Sequence, residues 1–386
     1  MRVQVTNKGL RRLRSGHPWV FANDLRNLGT RQAGLATLLS PTGDVLGQGL
    51  FNPKSKIALR MLSGRSQALG NDFFAERVTR AVQHRQTVAE GFEAFRVIHS
   101  EADGLPGLTV DKYGEYLVLQ QHAAALEPFM PVILDTLQSC YQPKGILARN
   151  DSEVRSLEGL AQEVRVLSGQ VPEMLGFKEG DVTLIAQPYS GQKTGAFLDQ
   201  RSNHIIAGAS SRGRCLDVFS YHGGFALQLA KHAESVLAVD SSAAALDHLQ
   251  HTAQRLQLRN IQSHCGDAFA LLRQLEQDQQ RFDTIVLDPP AFAKGRDHVD
   301  GALRGYKEIN LRAMRLLNPG GRLFTASCSY HVKAEAFETM LSEAAADAER
   351  SMRVLFRRSQ ALCHPEILTI PETRYLKFIG LELYDS

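Results

Sequence analysis

Long hydrophobic runs are missing from this chain. No stretch of its 386 residues approaches the ~18 consecutive apolar positions that a membrane helix needs. The opening segment, MRVQVTNKGLRRLRSGHPWVF, is basic but has neither the apolar core nor the small-residue cleavage site of a secretory signal. Cysteine is scarce: Cys140, Cys215, Cys265, Cys328 and Cys363 are an odd number with no C-x-x-C pair. That pattern argues against a disulfide framework and against a zinc site, and no metal is expected. Together these absences predict a cytoplasmic protein with no membrane partner. Repeats and low-complexity tracts are also lacking. Hydrophobic residues at 43% and charged residues at 22% lie near the globular average, so a packed core is expected and wholesale disorder is not. At about 150 residues per domain, the length predicts two or three domains.

The net charge of +3 hides an asymmetry. Residues 1–70 hold 11 Lys or Arg and only two acids, Asp24 and Asp44, whereas the remainder of the chain is net acidic. Positive charge clustered in one segment is the footprint of a phosphate-backbone binder; the alternative is a solvated basic surface with no partner.

Three blocks follow from the pattern. In residues 1–70, short apolar stretches punctuated by S-G, P-T-G and N-P read as a small β module. A helix over 72–92 leads into a second block, 71–190, where strand-like runs such as EYLVLQQH and GILARN surround one helical stretch, FMPVILDTLQSCY, giving an α+β domain. From 191 to 386, strands ending in Gly or Asp alternate with helices, which predicts a parallel, doubly wound sheet.

In such a sheet, ligands bind outside the carboxyl ends of the strands. The first strand ends in Asp217-Val218-Phe219, and Ser220-Tyr221-His222-Gly223-Gly224 leads to a helix near Phe225. Paired glycines admit a ligand close to the backbone, but the spacing is not G-x-G-x-x-G, which disfavours a pyrophosphate cofactor. The second strand ends in Asp240-Ser241, where a carboxylate can accept both ribose hydroxyls. The third leads to Asp267-Ala268, where an acid can meet the amine of adenine. Ribose and adenine acceptors without a phosphate cradle suit S-adenosylmethionine (SAM). For any one of these aspartates, a helix cap is the alternative role.

The segments LDVFSYHGGF, VLAVD, HCGDAF and VLDPPAF resemble the successive motifs of class I SAM-dependent methyltransferases. GLRRLRSGHPWVFANDL resembles a PUA RNA-binding domain. HSEADGLPGLTVDKYG, GQKTGAFLDQRSN and HPEILTIPETRYLK resemble signatures of the large-subunit ribosomal RNA cytosine-C5 methyltransferases of PUA-plus-Rossmann type. This resemblance spans essentially the whole chain. It implies a PUA domain at 1–70, an α+β central domain at 71–190 that recognises RNA, and a Rossmann-like methyltransferase domain at 191–386, with large-subunit (23S) rRNA as partner. It also makes Phe197 and Arg201 candidates for cofactor contact, a structural aromatic and a salt-bridged arginine being the alternatives. The oligomeric state is left open, a homodimer being one option.

The chemistry falls on strands four and five. Strand four ends in Asp288-Pro289-Pro290-Ala291-Phe292 and strand five in Ser327-Cys328-Ser329. If these strands are neighbours, ~4.8 Å apart, Asp288 and Cys328 share a pocket. Carbon 5 of a pyrimidine is a poor nucleophile until a thiolate adds at carbon 6, so Cys328 is the expected nucleophile. Asp288 is placed on the N3 and N4 edge of the base, and Pro289, Pro290 and Phe292 form a stacking wall; for Phe292 a core role is the alternative. A second cysteine, carried by many RNA cytosine-C5 methyltransferases in the Asp-Pro-Pro position, is replaced here by proline. The group that takes the carbon 5 proton stays open among Tyr330, His331, Lys294 and water. Methylation of a guanine nitrogen, uracil C5 methylation and a non-catalytic ribosome-assembly factor are the rival readings.

Overall fold

The computed structural model describes residues 1–384 except 27–31, 65–66 and 294. The chain forms two compact units, one of Met1–Phe177, Ile185–Leu198 and Leu362–Thr373, the other of Lys178–Leu184, Asp199–Ala361 and Arg374–Ser386.

The first unit carries two sheets. The six-stranded sheet is drawn from residues 2–63, with the helix Asn7–Arg14 following its first strand. Inward positions alternate along its strands, so Val5, Leu38, Phe51 and Leu59 meet in one small core while the intervening residues face outward. Lys8, Arg11 and Arg14 of that helix are exposed, so part of the basic excess of the first block sits on one short element. After the helix Asn71–Val88 comes a five-stranded mixed sheet, Ala94–His99 to Glu163–Gly169. Its one parallel pairing, Tyr116–Gln121 with Gly145–Asn150, is made possible by the crossover helix Met130–Tyr141. The β-rich first block and the α+β second block are therefore as the sequence pattern predicts.

The second unit is built on a seven-stranded sheet. Its strands are β1 (Arg214–Val218), β2 (Ser235–Asp240), β3 (Ile261–Cys265), β4 (Phe282–Leu287), β5 (Leu317–Ser327), β6 (Met352–Arg358) and β7 (Lys377–Leu383). Their order is β3-β2-β1-β4-β5-β7-β6. The first five are parallel, and β7 returns antiparallel between β5 and β6. The helices are α1 (Arg201–Ala209), α2 (Gly224–Leu229), α3 (Ala243–Arg255), α4 (Ala268–Gln277), α5 (Val299–Arg315) and α6 (Ala334–Ala348). Central strands β1 and β4 are buried at all but one position each, because helices cover both faces. Their side chains, Leu216, Val218, Ile285 and Leu287 among them, join Ile309 of α5 and Phe337 of α6 in one core. Strand order reverses at β1 and β4, so the carboxyl ends of these two strands open the crevice where a doubly wound sheet binds its ligand.

Asn318-Pro319-Gly320-Gly321, which reads as a turn, instead lies inside β5. Gly320 at φ 72° takes up the irregularity, and the pairing of β4 with β5 shifts register there. Among the described residues, no helix is long and apolar enough to cross a membrane, and no cluster of three or more His, Cys, Asp or Glu could hold a metal.

Candidate active site

The loop after β1 is fixed by its own backbone. Phe219 and Ser220 both donate their amides to Val239 O, at 2.8 and 2.9 Å. The Ser220 hydroxyl accepts from Val239 N (2.9 Å) and donates to Asp217 O (2.8 Å). These bonds hold Phe219 and Tyr221 at φ 69° and 47°, left-handed values that cost a non-glycine residue about 1 kcal/mol or more and cluster at ligand sites. The glycine pair is explained by packing. A Cβ on Gly223, which has φ 83°, would lie 2.1 Å from Leu249 Cδ1, and one on Gly224 would lie 2.5 Å from His204 Cε1. The space the glycines leave is thus taken by protein atoms beneath the loop, which lets α2 start close to α1 and α3. Phe225 is buried too, edge-on to His204 with ring centres 4.5 Å apart.

Asp217 lies wholly buried below this loop, and neither carboxylate oxygen has a well-aligned hydrogen-bond partner among the described residues. Burial, and after it the negative Asp288, push its pKa up to about 7; nearby Ser220, His204 and Ala226 offset this only in part. His204 Nδ1 pairs with Glu179 Oε1 at 2.7 Å in the same interior. Burial pulls the imidazole pKa down, yet Glu179, with Asp288 and Asp217 behind it, outweighs burial and the net shift is upward.

Asp240 ends β2 with one backbone donor on each oxygen: Tyr221 N to Oδ2 and Ser242 N to Oδ1, both at 2.9 Å. The carboxylate is oriented, and each oxygen keeps a lone pair for a ribose hydroxyl. Ser241 beside it is exposed. Asp267 is exposed and caps α4, its Oδ1 accepting from Ala270 N at 2.8 Å, while Ala268 is buried as the first residue of that helix. An oriented acid after β2 and an exposed acid after β3 fit the ribose and adenine of SAM. Arg201 is buried at the start of α1. Phe197 belongs to the other unit, where Lys193 Nζ lies 4.4 Å from its ring centre.

β4 and β5 are neighbours, with Leu287 opposite Thr325. That pairing brings the two catalytic candidates to one edge. Asp288 donates its amide to Val218 O (3.3 Å), and its Oδ1 accepts from Gln200 Nε2 at 2.8 Å. Cys328 is half-buried, with Sγ 3.9 Å from Pro289 O. Pro289 is buried and Pro290 exposed. Phe292 packs into an aromatic group, its ring centre 4.7 Å from Tyr306, 6.0 Å from Phe269 and 6.4 Å from Phe219, so much of its surface serves the core. Tyr306 OH and Ser329 Oγ are 3.0 Å apart, and Ser329 Oγ also accepts from Ala293 N at 3.2 Å, which ties the Asp-Pro-Pro turn to the cysteine loop. Lys333 Nζ lies 4.1 Å from the Tyr330 ring centre, and the Tyr330 and His331 rings meet edge-on. Lys294 is outside the described residues.

The other cysteines stand elsewhere. Cys215 is buried in β1, its thiol pushed up to about 11 by burial; Cys363 is buried in the first unit, and Cys140 and Cys265 are exposed. Sequence reasoning missed three residues of the site: Gln200, which holds Asp288; Tyr306, which braces Ser329; and Lys377, whose Nζ donates to Ser329 O at 2.7 Å and Tyr375 O at 2.9 Å. Lys377 had one signal, a lone lysine opening the apolar run KFIGLEL.

The strand order and the acids at the strand ends define a class I SAM-dependent methyltransferase with a PUA-like domain before it. Family comparison agrees, matching a PUA-like domain at residues 3–64 and a methyltransferase domain at residues 209–367. The ribosomal RNA large subunit methyltransferase I of Shewanella denitrificans is 37% identical, with 98% of each chain covered. That of Erwinia tasmaniensis is 37% identical over 94% of each chain. The chain belongs to the ribosomal RNA large subunit methyltransferase I family. Among solved structures, a methyltransferase complexed with S-adenosylhomocysteine (SAH) has the same fold at TM-score 0.85 and 18% identity, covering 99% of this chain and 100% of that one.

Proposed function

We propose that this enzyme methylates carbon 5 of a cytosine in large-subunit (23S) ribosomal RNA through a covalent bond between Cys328 and carbon 6 of the base. The observation that carries the reading is the position of the thiol: Cys328 Sγ lies 3.9 Å from the Pro289 carbonyl, at the edge where β4 and β5 end side by side. When bound, SAM supplies an electrophilic methyl group on its sulfonium. Asp240 orients the ribose and Asp267 the adenine, with the backbone of the loop from Phe219 to His222 beside the remainder.

The Cys328 thiolate forms a bond to carbon 6, and the displaced π pair makes carbon 5 nucleophilic. Carbon 5 would then bond to the methyl group as the bond from that methyl to the sulfonium sulfur breaks, leaving SAH. Loss of its proton re-forms the double bond and expels the thiolate. Asp288, held by Gln200, meets the N3 and N4 edge of the base, and exposed Pro290 offers it an apolar surface. A base inside a duplex has to be flipped out to reach this pocket. In this reading residues 1–70 grip the RNA backbone, 71–190 recognise the substrate and 191–386 carry the chemistry. An rRNA substrate puts the enzyme in the cytoplasm.

The test is RNA carrying 5-fluorocytidine, which cannot lose a proton from carbon 5 and so arrests the reaction at the adduct. A denaturation-resistant protein–RNA band is expected with the wild type and with Cys140→Ala, Cys215→Ala, Cys265→Ala and Cys363→Ala, and none with Cys328→Ala. Methylation by Cys328→Ala at near wild-type rate overturns the reading and leaves a guanine nitrogen as the target.

A further inference from the structure

Lys377 opens β7, and the antiparallel register places its Cα opposite Ser327 of β5, one residue before Cys328. Its ammonium is tied to the residue after Cys328, through the 2.7 Å bond to Ser329 O, and to Tyr375 O at 2.9 Å. The register on one side and the hydrogen bond on the other thus bracket the cysteine. Both bonds go to neutral carbonyls, so neither cancels the positive charge.

The electrostatics fit that geometry. Burial lowers the Lys377 pKa, the charge of a Cys328 thiolate pulls it back up, and Lys333 and Arg374 press it down, for a net value of about 8. Tyr306 of α5 also senses Cys328. Burial raises its phenol first, the thiolate charge adds to that, and its hydroxyl stays a neutral donor or acceptor. Among the described residues, Asp288 after β4 and Tyr330 beyond Ser329 also belong to this edge, the former held by Gln200 and the latter under Lys333.

We propose that Lys377 is the positioning residue that holds Cys328 as a thiolate, acting through the sulfur and not on the base. The inference rests on the reading of Cys328 as the nucleophile. The thiol proton passes to water and the ammonium keeps its own three, so no acceptor in the site is required. A positive charge fixed between the neighbours of the sulfur favours the ionised thiol, which is the attacking species.

The experiment is alkylation of the cofactor-free, full-length enzyme by iodoacetamide from pH 6 to 9.5, with modification of Cys328 followed by peptide mass spectrometry. In Lys377→Met the rate at pH 7 is expected to fall about tenfold and the profile to move about one unit to higher pH. Lys377→Arg, which keeps the charge, should stay within about threefold of wild type. SAH binding by calorimetry identifies variants that keep their fold. A Lys377→Met enzyme that binds SAH and alkylates with the wild-type rate and profile overturns the proposal and leaves Lys377 a strap between β7 and the cysteine loop. So does loss of the effect in Lys377→Arg as well as in Lys377→Met, because geometry rather than charge would then matter. If alkylation behaves as expected but 5-fluorocytidine RNA traps no adduct, the cytosine reading falls while the Lys377–thiolate pair stands.

Discussion

Asp217→Asn should make the protein more stable at neutral and alkaline pH and leave it unchanged in acid. The wild-type carboxyl is fully buried, lacks well-aligned partners on both oxygens, and has its pKa raised from 3.8 to about 7. The unfolded chain gives up this proton near pH 3.8, whereas the folded chain keeps it up to about pH 7. The stability contributed by this group is therefore complete below pH 3.8 and is lost as the pH rises through about 7. A shift of about three units at ~1.4 kcal/mol each sets a ceiling on the order of 4 kcal/mol. Asparagine has the same shape and carries no charge, so it escapes the penalty. With roughly 2–4 °C per kcal/mol for a unit of this size, even half the ceiling gives about 4–8 °C. The assay is scanning calorimetry of the cofactor-free wild type and Asp217→Asn at pH 5 and pH 8. The variant should melt several degrees higher at pH 8, and the gap should shrink at pH 5. A gap of equal size at both values, or a wild type that is the more stable at pH 8, refutes the argument that an unpaired buried carboxylate is being forced to ionise.

Asp240→Ala should weaken SAM binding by about 1–3 kcal/mol, the cost of losing a charged hydrogen-bond partner, and unchanged affinity by calorimetry would remove Asp240 from the site. RNA affinity should fall steeply with salt, and reversing the exposed charges with Lys8→Glu, Arg11→Glu and Arg14→Glu should flatten the logarithmic slope by ~0.7–0.9 for each phosphate that is no longer neutralised. A slope that survives all three changes in a filter-binding titration puts the RNA footprint elsewhere.

The parts of this structure that the sequence announced are those where one local rule decides. β2 and β4 are short apolar runs that close on Asp240 and Asp288, and β1 carries its one acid, Asp217, a residue before its end; an apolar run closed by a polar residue reads as a buried parallel strand. The neighbourhood of Asp288 and Cys328 was legible for the same reason, because class I topology makes β4 and β5 adjacent and both candidates follow directly on their strands. The role of the glycines was not. Gly223 and Gly224 suggest a ligand pressed on the backbone, but a sequence cannot show that Leu249 of α3 and His204 of α1 fill those positions, since both side chains come from other elements.

The place of Lys377 beside Cys328, as distinct from its standing out in its strand, lies beyond the reach of sequence reasoning for a related cause. Strict alternation of strand and helix predicts that the chain continues parallel past β5, and under that rule a lysine so far along the chain from Cys328 has no reason to return to it. The chain instead sends β7 back antiparallel into the gap between β5 and β6. Register, which no periodicity reveals, then sets Lys377 opposite Ser327. A parallel strand at that place would carry its carboxyl end to the pocket; the antiparallel one brings its amino end, where Lys377 is the first residue. Reversal of one strand is thus what puts a cation at a carboxyl edge that also carries the acids Asp240, Asp267 and Asp288, and it does so beside the one cysteine that stands next to the Asp-Pro-Pro turn.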